Sequence, residues 1–82
     1  MPDGAQAVED RIAIDPKIQH GKPVIRGTRT PISRILGGLA GGMTEEEILR
    51  EYEITREDLQ AVYRYATVLI DREVVHPLAR PA

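Results

Sequence analysis

Four cations in a short stretch of this chain have the side-chain chemistry that binds phosphate. The stretch GKPVIRGTRTP, residues 21–31, holds no acidic residue and is followed by a further arginine. We call these four residues the basic segment: Lys22, Arg26, Arg29 and Arg34. Ammonium and guanidinium groups contact the phosphate backbone of nucleic acids without reading its sequence. We therefore predict that the basic segment contacts DNA.

A second set of polar side chains lies in the last predicted helix, residues 56–72. At about 100° per residue they share one flank of that helix. They are Arg56, Gln60, Arg64 and Thr67. Donors in the leading turns of a helix reach base edges and phosphates when the helix enters the major groove, so we predict DNA contacts here as well. Glu57 and Asp58 in the same turn would repel phosphate. The alternative to DNA binding is therefore that this helix binds protein only.

The same helix is apolar on two sides. We assign one face to the core: Leu59, Val62, Tyr63, Ala66 and Ile70. On the far side, a largely apolar stripe follows the spacing i, i+4, i+7, i+11. Its members are Ala61, Tyr65, Val68 and Arg72. A helix with two apolar sides usually packs against something on both, so the stripe predicts contact with a sister subunit, giving a homodimer, or with another protein.

The residue pattern does not suggest catalysis or metal binding. The sequence has no cysteine, and its two histidines, His20 and His76, are far apart in sequence. The motifs of nucleophilic catalysis and of phosphate-binding loops are missing as well. We predict that the protein is not an enzyme and has no catalytic residue, no metal and no cofactor.

Length and composition indicate one small domain. At 82 residues the chain can build a single modest core. No apolar run has the length of a membrane span, and the first residues lack the pattern of a signal peptide, so we expect a cytoplasmic protein without membrane contact. The net charge is −2, but residues 16–44 carry only cations, whereas residues 45–58 carry seven acids and two arginines. This separation suits an asymmetric interaction surface or a head-to-tail contact between copies.

The local patterns predict a mainly α-helical fold with a short N-terminal β-hairpin. Residues 11–14 and 24–25 are rich in β-branched side chains and indicate two antiparallel strands. Three helices follow, the last two at about 45–52 and 56–72 with a short turn between them, which is the layout of a helix-turn-helix. We expect a flexible arm at residues 1–10, one domain at 11–72 and a flexible tail at 73–82.

The first helix has capping residues at both ends and a glycine pair inside. Thr30 before Pro31 predicts its N-cap, and Gly41-Gly42 predicts its end. Each glycine of Gly37-Gly38 costs about 1 kcal/mol relative to alanine within a helix. The pair therefore indicates either a frayed or bent helix or a close approach by another chain or by the hairpin.

The second and third helices carry the same kind of start. Thr44 with Glu47 and Thr55 with Asp58 have the spacing of reciprocal caps, in which each side chain bonds the backbone amide of the other residue. Acidic side chains in these first turns also favour the positive ends of the helix dipoles. Much of the acidic run thus has a structural explanation.

Several motifs resemble the bacterial domain-of-unknown-function family 433. The most specific is GKPVIRGTR at residues 21–29, and IDPKI at 14–18, PI at 31–32 and GMTEEEI at 42–48 accompany it. The resemblance runs from about Arg11 to Ile70. One departure is the turn between the last two helices, where the family commonly has Tyr-Pro-x-Leu-Thr and this chain has Tyr-Glu-Ile-Thr at 52–55.

The resemblance implies a homeodomain-like helix-turn-helix and the role of an antitoxin in a type II toxin–antitoxin pair. Such an antitoxin neutralises a PIN-like nuclease toxin by binding it and represses its own operon by binding DNA. Two hypotheses follow. In the first, a homodimer binds operator DNA through the last helix and the basic segment while also binding the toxin. In the second, the chain is a protein-only interaction module.

Overall fold

The chain forms a three-stranded antiparallel β-sheet followed by three α-helices. The computed structural model describes residues 6–72. Its strands and helices are β1 (Gln6–Glu9), β2 (Ile12–Ile14), β3 (Val24–Ile25), α1 (Ile32–Ala40), α2 (Glu45–Tyr52) and α3 (Arg56–Arg72). The predicted mainly helical fold with an N-terminal hairpin is confirmed. No helix within residues 6–72 combines the length and the apolar character that crossing a membrane requires.

The sheet contains the predicted hairpin and one further strand. β2 and β3 pair antiparallel, with Ile12 opposite Ile25. β1 pairs antiparallel with the other edge of β2, so the strand order is β1-β2-β3. The prediction of a flexible arm is therefore wrong for residues 6–9, because the chain reverses at residues 10–11 and β1 satisfies backbone groups on the second edge of β2. The rest of the arm at 1–5, and the tail at 73–82 with His76, lie outside the described residues.

The first helix begins one residue later than predicted. Its N-cap is Pro31, which is extended at φ −69° and ψ 140°, and not Thr30. Thr30 is tied to the sheet instead, because its carbonyl accepts the amide of Ile25 at 3.0 Å. Pro31 itself forms a β-bridge with Val24. Sheet pairing thus takes the place of side-chain capping at this helix end.

The glycine pair of α1 allows α2 to approach closely. A Cβ atom on Gly38 would lie 2.9 Å from Sδ of Met43 and 3.0 Å from Cδ1 of Ile48, whereas one on Gly37 would meet nothing within 4 Å. The close approach is therefore real at Gly38, and the neighbours within this chain are Met43 before α2 and Ile48 of α2, not the hairpin. The helix ends at the predicted glycines, where Gly42 has φ +109°.

Both predicted reciprocal caps are present. Thr44 Oγ1 accepts the amide of Glu47 at 3.1 Å, and Glu47 Oε1 accepts the amide of Thr44 at 2.8 Å. The pair Thr55 and Asp58 repeats these bonds at 3.1 Å and 3.0 Å. Between the helices, Glu53 is left-handed at φ 55° and turns the chain from α2 into α3. Because local bonds fix both starts, α2 and α3 have the predicted bounds.

One aliphatic cluster joins the sheet to all three helices. Its buried members are Ile12, Ile25, Ile32, Ile35, Ile48, Ile54, Leu59, Ala61 and Val62. Two tyrosines, Tyr52 and Tyr65, pack against its margin. The strands are short, so their stability depends on this shared cluster.

The buried face of α3 differs in part from the predicted one. Leu59 and Val62 are buried as predicted, but Ala61 is fully buried too, and its assignment to an exposed stripe is wrong. Tyr63 and Ile70, assigned to the core, are exposed by 37% and 66%. The reason is β1, since the sheet that it completes packs against α3.

The two glycines of α1 predict opposite responses to alanine. Gly37→Ala is expected to raise the free energy of unfolding by about 0.5–1 kcal/mol, because it gains helix propensity in open space. Gly38→Ala is expected to be about 1–3 kcal/mol less stable than Gly37→Ala, because Met43 and Ile48 must move. Urea unfolding followed by circular dichroism measures both variants. Equal stabilisation by the two substitutions would contradict the close approach of α1 and α2.

Candidate binding surfaces

The basic segment contains a closed turn that follows β3. The amide of Thr28 donates to the carbonyl of Ile25 at 3.0 Å, and Gly27 between them has φ +81°, which suits the third residue of a type II turn. Thr28 Oγ1 also donates to the carbonyl of Ile25 at 2.7 Å and accepts the amide of Thr30 at 3.0 Å. Arg26 therefore stands at the tip of a turn whose backbone is held from both sides.

All four cations of the basic segment are exposed, as phosphate contacts would require. Across residues 6–72, the ion pairs of the chain involve none of them. Arg26 lines a polar depression together with Asp10, Arg11 and Asp58, and so lies beside the first turn of α3. The structure thus brings Arg26 towards α3, where predicted DNA contacts also lie.

The described part of the chain has no cluster of side chains suited to binding a metal ion. His20 is exposed in a short 3₁₀ turn, Gln19–Gly21. No group of three or more histidine, cysteine, aspartate or glutamate side chains between residues 6 and 72 is placed to hold a metal ion.

The two arginines predicted to contact DNA from α3 are paired with carboxylates of their own chain. Arg56 lies 3.4 Å from an oxygen of Glu45 and 3.5 Å from one of Glu46, both in the first turn of α2. Arg64 Nε donates to Glu9 Oε2 at 2.7 Å, and this bond lowers the pKa of Glu9 and raises the pKa of Arg64. Both arginine side chains are more than half exposed, so solvent screens these pairs and they contribute little to stability.

Of the two remaining predicted DNA contacts on this flank, Thr67 is hydrogen-bonded within the described residues and Gln60 is not, and the neighbouring Tyr63 also bonds a carboxylate. Tyr63 Oη donates to Glu45 Oε2 at 2.7 Å, which raises the pKa of Tyr63. Thr67 Oγ1 donates to the carbonyl of Tyr63 at 2.9 Å. Gln60 is exposed, and within residues 6–72 its side chain has no hydrogen-bond partner. DNA at this flank would have to displace Arg56 and Arg64 from carboxylates that themselves repel phosphate.

Asp58 connects the sheet to the first turn of α3. Its Oδ1 accepts the guanidinium of Arg11 at 3.0 Å, and its Oδ2 accepts the amide of Thr55 at 3.0 Å, while the backbone amide of Asp58 donates to Thr55 Oγ1 to complete the cap. Burial raises the pKa of Asp58, but the hydrogen bonds from Thr55 and Arg11 outweigh burial, and the pKa lies below its usual value. The folded state therefore favours the charged carboxylate.

The second half of α3 extends beyond the core. All the buried residues of this helix lie between Leu59 and Val62. Three consecutive large apolar residues near its end are exposed instead: Val68 by 49%, Leu69 by 46% and Ile70 by 66%. We call these three the apolar end of α3. Such a run on one element is typical of an interaction surface.

A groove of about 270 Å³ lies between the apolar end of α3 and the end of β1. Its lining residues are Glu9, Arg64, Tyr65, Val68, Leu69 and Arg72. Most of its exposed lining is apolar. The groove thus unites three of the four residues predicted to bind a partner, and the fourth, Ala61, is the buried one. Partner binding by these three residues stays a prediction, as does the homodimer.

Two residues of these surfaces, Leu69 and Glu9, are not among those that the sequence pattern predicts. Leu69 lies seven residues after Val62 and continues the same helical face, so the apolar periodicity contains a signal for it. Glu9 lies 55 residues before Arg64, and no local pattern connects the two. The pairs of Arg56 with α2 are similarly non-local.

Comparison with known proteins identifies a family match and a similar structure. The family model described as "Protein of unknown function (DUF433)" matches residues 12–66. No curated protein matches the chain. The chain is similar to the X-ray crystal structure of Rv2018 from Mycobacterium tuberculosis, with 27% identity and a TM-score of 0.58 over 63% of this chain. The match covers 24% of that protein, so the chain spans about a quarter of its length.

The lowered pKa values predict that acid destabilises the protein. A carboxyl with a lowered folded pKa contributes stability that is present above its ordinary value, 4.5 for Glu9 and 3.8 for Asp58, and is lost as the pH falls through the folded value. The free energy of unfolding is therefore expected to fall below about pH 4.5. Denaturant unfolding at a series of pH values measures it.

Asp58→Asn is expected to reduce this fall, because the charged group is removed. Glu57→Gln is the matched control, since it removes a neighbouring exposed carboxylate that has no ion pair within residues 6–72. An Asp58→Asn curve with the full acid dependence of the wild type would contradict the role of Asp58.

Proposed function

The chain belongs to DUF433, a family of unknown function, and we propose that it is the antitoxin of a type II toxin–antitoxin pair, which binds and neutralises a PIN-like nuclease in the cytoplasm. The observation that carries the proposal is the apolar end of α3, where Val68 and Leu69 are about half exposed and Ile70 about two thirds. The nuclease is the partner that the family resemblance implies. The exposed apolar run is the feature of this chain that suits a protein partner.

The size of the apolar contribution supports protein binding at α3. Covering the exposed remainder of each half-buried side chain contributes roughly 1 kcal/mol. Three such side chains then contribute about a hundredfold in dissociation constant. A single exposed ion pair contributes at most about 1 kcal/mol, so Arg72 at the groove is expected to orient the partner more than to hold it.

The charges along α3 favour the protein partner over DNA at this helix. Arg56 and Arg64, the donors that would face DNA, lie against Glu45, Glu46 and Glu9. A protein partner can cover Val68 and Leu69 while Arg64 stays bonded to Glu9 in the wall of the same groove. A DNA duplex on the same flank would bring phosphates next to the carboxylates.

The proposal predicts that charge on the apolar end abolishes toxin neutralisation. The chain is co-expressed with a PIN-like nuclease as the proposed toxin, and both growth and co-purification are measured. Leu69→Asp and Val68→Asp are expected to lose the nuclease on purification and to leave growth arrested, because a carboxylate would be buried without a partner. Wild type is expected to retain the nuclease and restore growth.

Gln60→Asp is the matched control, because it places the same charge on an exposed position of α3 away from the groove. It is expected to behave as wild type. Circular dichroism verifies that all three variants are folded. Folded Leu69→Asp and Val68→Asp that still retain the nuclease would contradict the proposed site.

A second candidate function, repression of its own operon, rests on the basic segment. Its four cations are exposed and, within residues 6–72, outside every ion pair, on a turn closed by hydrogen bonds. Such cations suit contacts to phosphates, which fix a protein on DNA without reading bases. The exposed Gln60 adds one donor on α3 that is free to reach a base edge.

DNA binding through the basic segment predicts a defined salt dependence. Fluorescence anisotropy with duplex from the chain's own upstream region is expected to show binding that weakens with salt, and Arg29→Ala is expected to reduce the slope of log affinity against log salt by about 1. Arg50→Ala, an exposed arginine of α2 outside the basic segment, is the matched control and is expected to leave the slope unchanged. Equal, weak binding of own and scrambled duplex at low salt would contradict this function.

A further inference from the structure

The chain folds back on β3 and forms a second, tighter hairpin. The amide of Ile25 donates to the carbonyl of Thr30 at 3.0 Å, and Val24 and Pro31 form an antiparallel bridge. These contacts close the loop RGTR, residues 26–29, which we call the arginine loop. Both ends of the arginine loop are therefore fixed to the sheet.

Hydrogen bonds of Thr28 hold the arginine loop in one shape. Its amide and its Oγ1 both donate to the carbonyl of Ile25, at 3.0 Å and 2.7 Å. The same Oγ1 accepts the amide of Thr30 at 3.0 Å, so one hydroxyl joins the two ends of the loop. A preformed loop loses less conformational entropy on binding than one that must be ordered.

The tip of the arginine loop is thin and positively charged. Gly27 has no side chain, and a Cβ at this position would meet nothing within 4 Å. Arg26 and Arg29, which flank the tip, are exposed. The loop contains no acid, and the ion pairs found within residues 6–72 involve neither arginine. Two guanidinium groups are thus available to a ligand on a slender part of the backbone.

We infer that the arginine loop enters the minor groove of A·T-rich DNA. This inference rests on the second candidate function, DNA binding through the basic segment, and adds base recognition to it. The minor groove is about 6 Å wide and admits an arginine side chain or a thin loop, whereas an α-helix about 10–12 Å across needs the major groove. Runs of A·T pairs narrow the minor groove and strengthen its negative potential, which attracts arginine.

The remaining cations suit other roles on the duplex. Lys22 and Arg34, on either side of the hairpin in sequence, are exposed and suit phosphate contacts. On α3, Arg56 and Arg64 lie against carboxylates, which disfavours reading of the major groove by this helix. The arginine loop carries guanidinium groups alone, and these are more weakly hydrated than ammonium and lose less on entering a narrow groove.

The two arginines of the loop differ in their surroundings. Arg26 shares a polar depression with Asp10 and Asp58, and their carboxylates repel phosphate. Asp58 is bonded to Arg11, which offsets part of this repulsion. Because acids stand beside Arg26, Arg29 is expected to contribute more of the recognition.

Fluorescence anisotropy of the full chain with three synthetic duplexes of equal length tests the inference. The duplexes differ only at the central base pairs, which are A·T, G·C or inosine·cytosine. Inosine lacks the 2-amino group that guanine places in the minor groove, and its major-groove atoms are those of guanine. The A·T and inosine duplexes are expected to bind with similar affinity, and the G·C duplex at least about tenfold more weakly.

Arg29→Lys separates the groove contact from simple charge. Lysine keeps the positive charge for phosphates, so the salt dependence of binding is expected to stay as in wild type. The preference for the A·T and inosine duplexes over G·C is expected to fall at least about threefold, because the planar guanidinium is lost. Arg50→Lys, at an exposed arginine of α2, is the matched control and is expected to leave both properties unchanged.

Thr28→Val tests the shape of the loop. It removes the hydroxyl that joins Ile25 to Thr30, and it is expected to weaken binding to the A·T and inosine duplexes more than to G·C. Thr28→Ser keeps the hydroxyl and is expected to bind as wild type. Circular dichroism verifies that the variants are folded.

Several results would overturn the inference and leave DNA binding through the basic segment standing. They are equal binding of all three duplexes, inosine and G·C duplexes that bind alike and more weakly than A·T, and a folded Arg29→Lys that keeps the full preference. Failure to bind any of the duplexes at low salt would overturn DNA binding itself, and the inference with it. Nuclease co-purification is measured separately and does not depend on these outcomes.

Discussion

The carboxylate of Asp58 fixes the position of the sheet on α3. One of its oxygens accepts the amide of Thr55 and the other accepts the guanidinium of Arg11, each at 3.0 Å. The same group therefore starts the helix and holds the turn between β1 and β2. The next residue, Leu59, is 1% exposed and enters the core. Because cap and ion pair share one carboxylate, the course of the remaining helix, including its apolar end, follows from this first turn.

The charges on α3 and those of the basic segment have different roles. On α3, Arg56 and Arg64 are engaged with acidic side chains from α2 and β1, so they contribute to the fold. In the basic segment, Arg26 stands at the tip of a closed turn. The net charge of −2 hides this division. Surface by surface, α3 suits a protein partner and the basic segment suits phosphate.

Elements fixed by local bonds are the ones that the sequence predicts. The starts of α2 and α3 depend on residue pairs three apart, such as Thr55 and Asp58, and both bounds are predicted correctly. β1 depends on pairing with β2, and its sequence carries no local pattern for a strand. Because β1 is not predicted, the helical wheel of α3 gives the wrong buried face. It places Ala61 outside the core and Ile70 inside it. The groove could not be predicted for the same reason, since Glu9 forms one of its walls.

The difference in sequence separation between local and distant contacts also predicts the order in which parts of the chain fold. The caps of α2 and α3 close loops of only three residues, whereas the contact of Arg64 with Glu9 closes one of 55. Short loops cost less entropy and form sooner. The middle of the chain is therefore expected to form first, with β1 added last to the edge of an existing sheet. The strand that is added last is also the one that opens most easily, and amide exchange is the observable that ranks these openings.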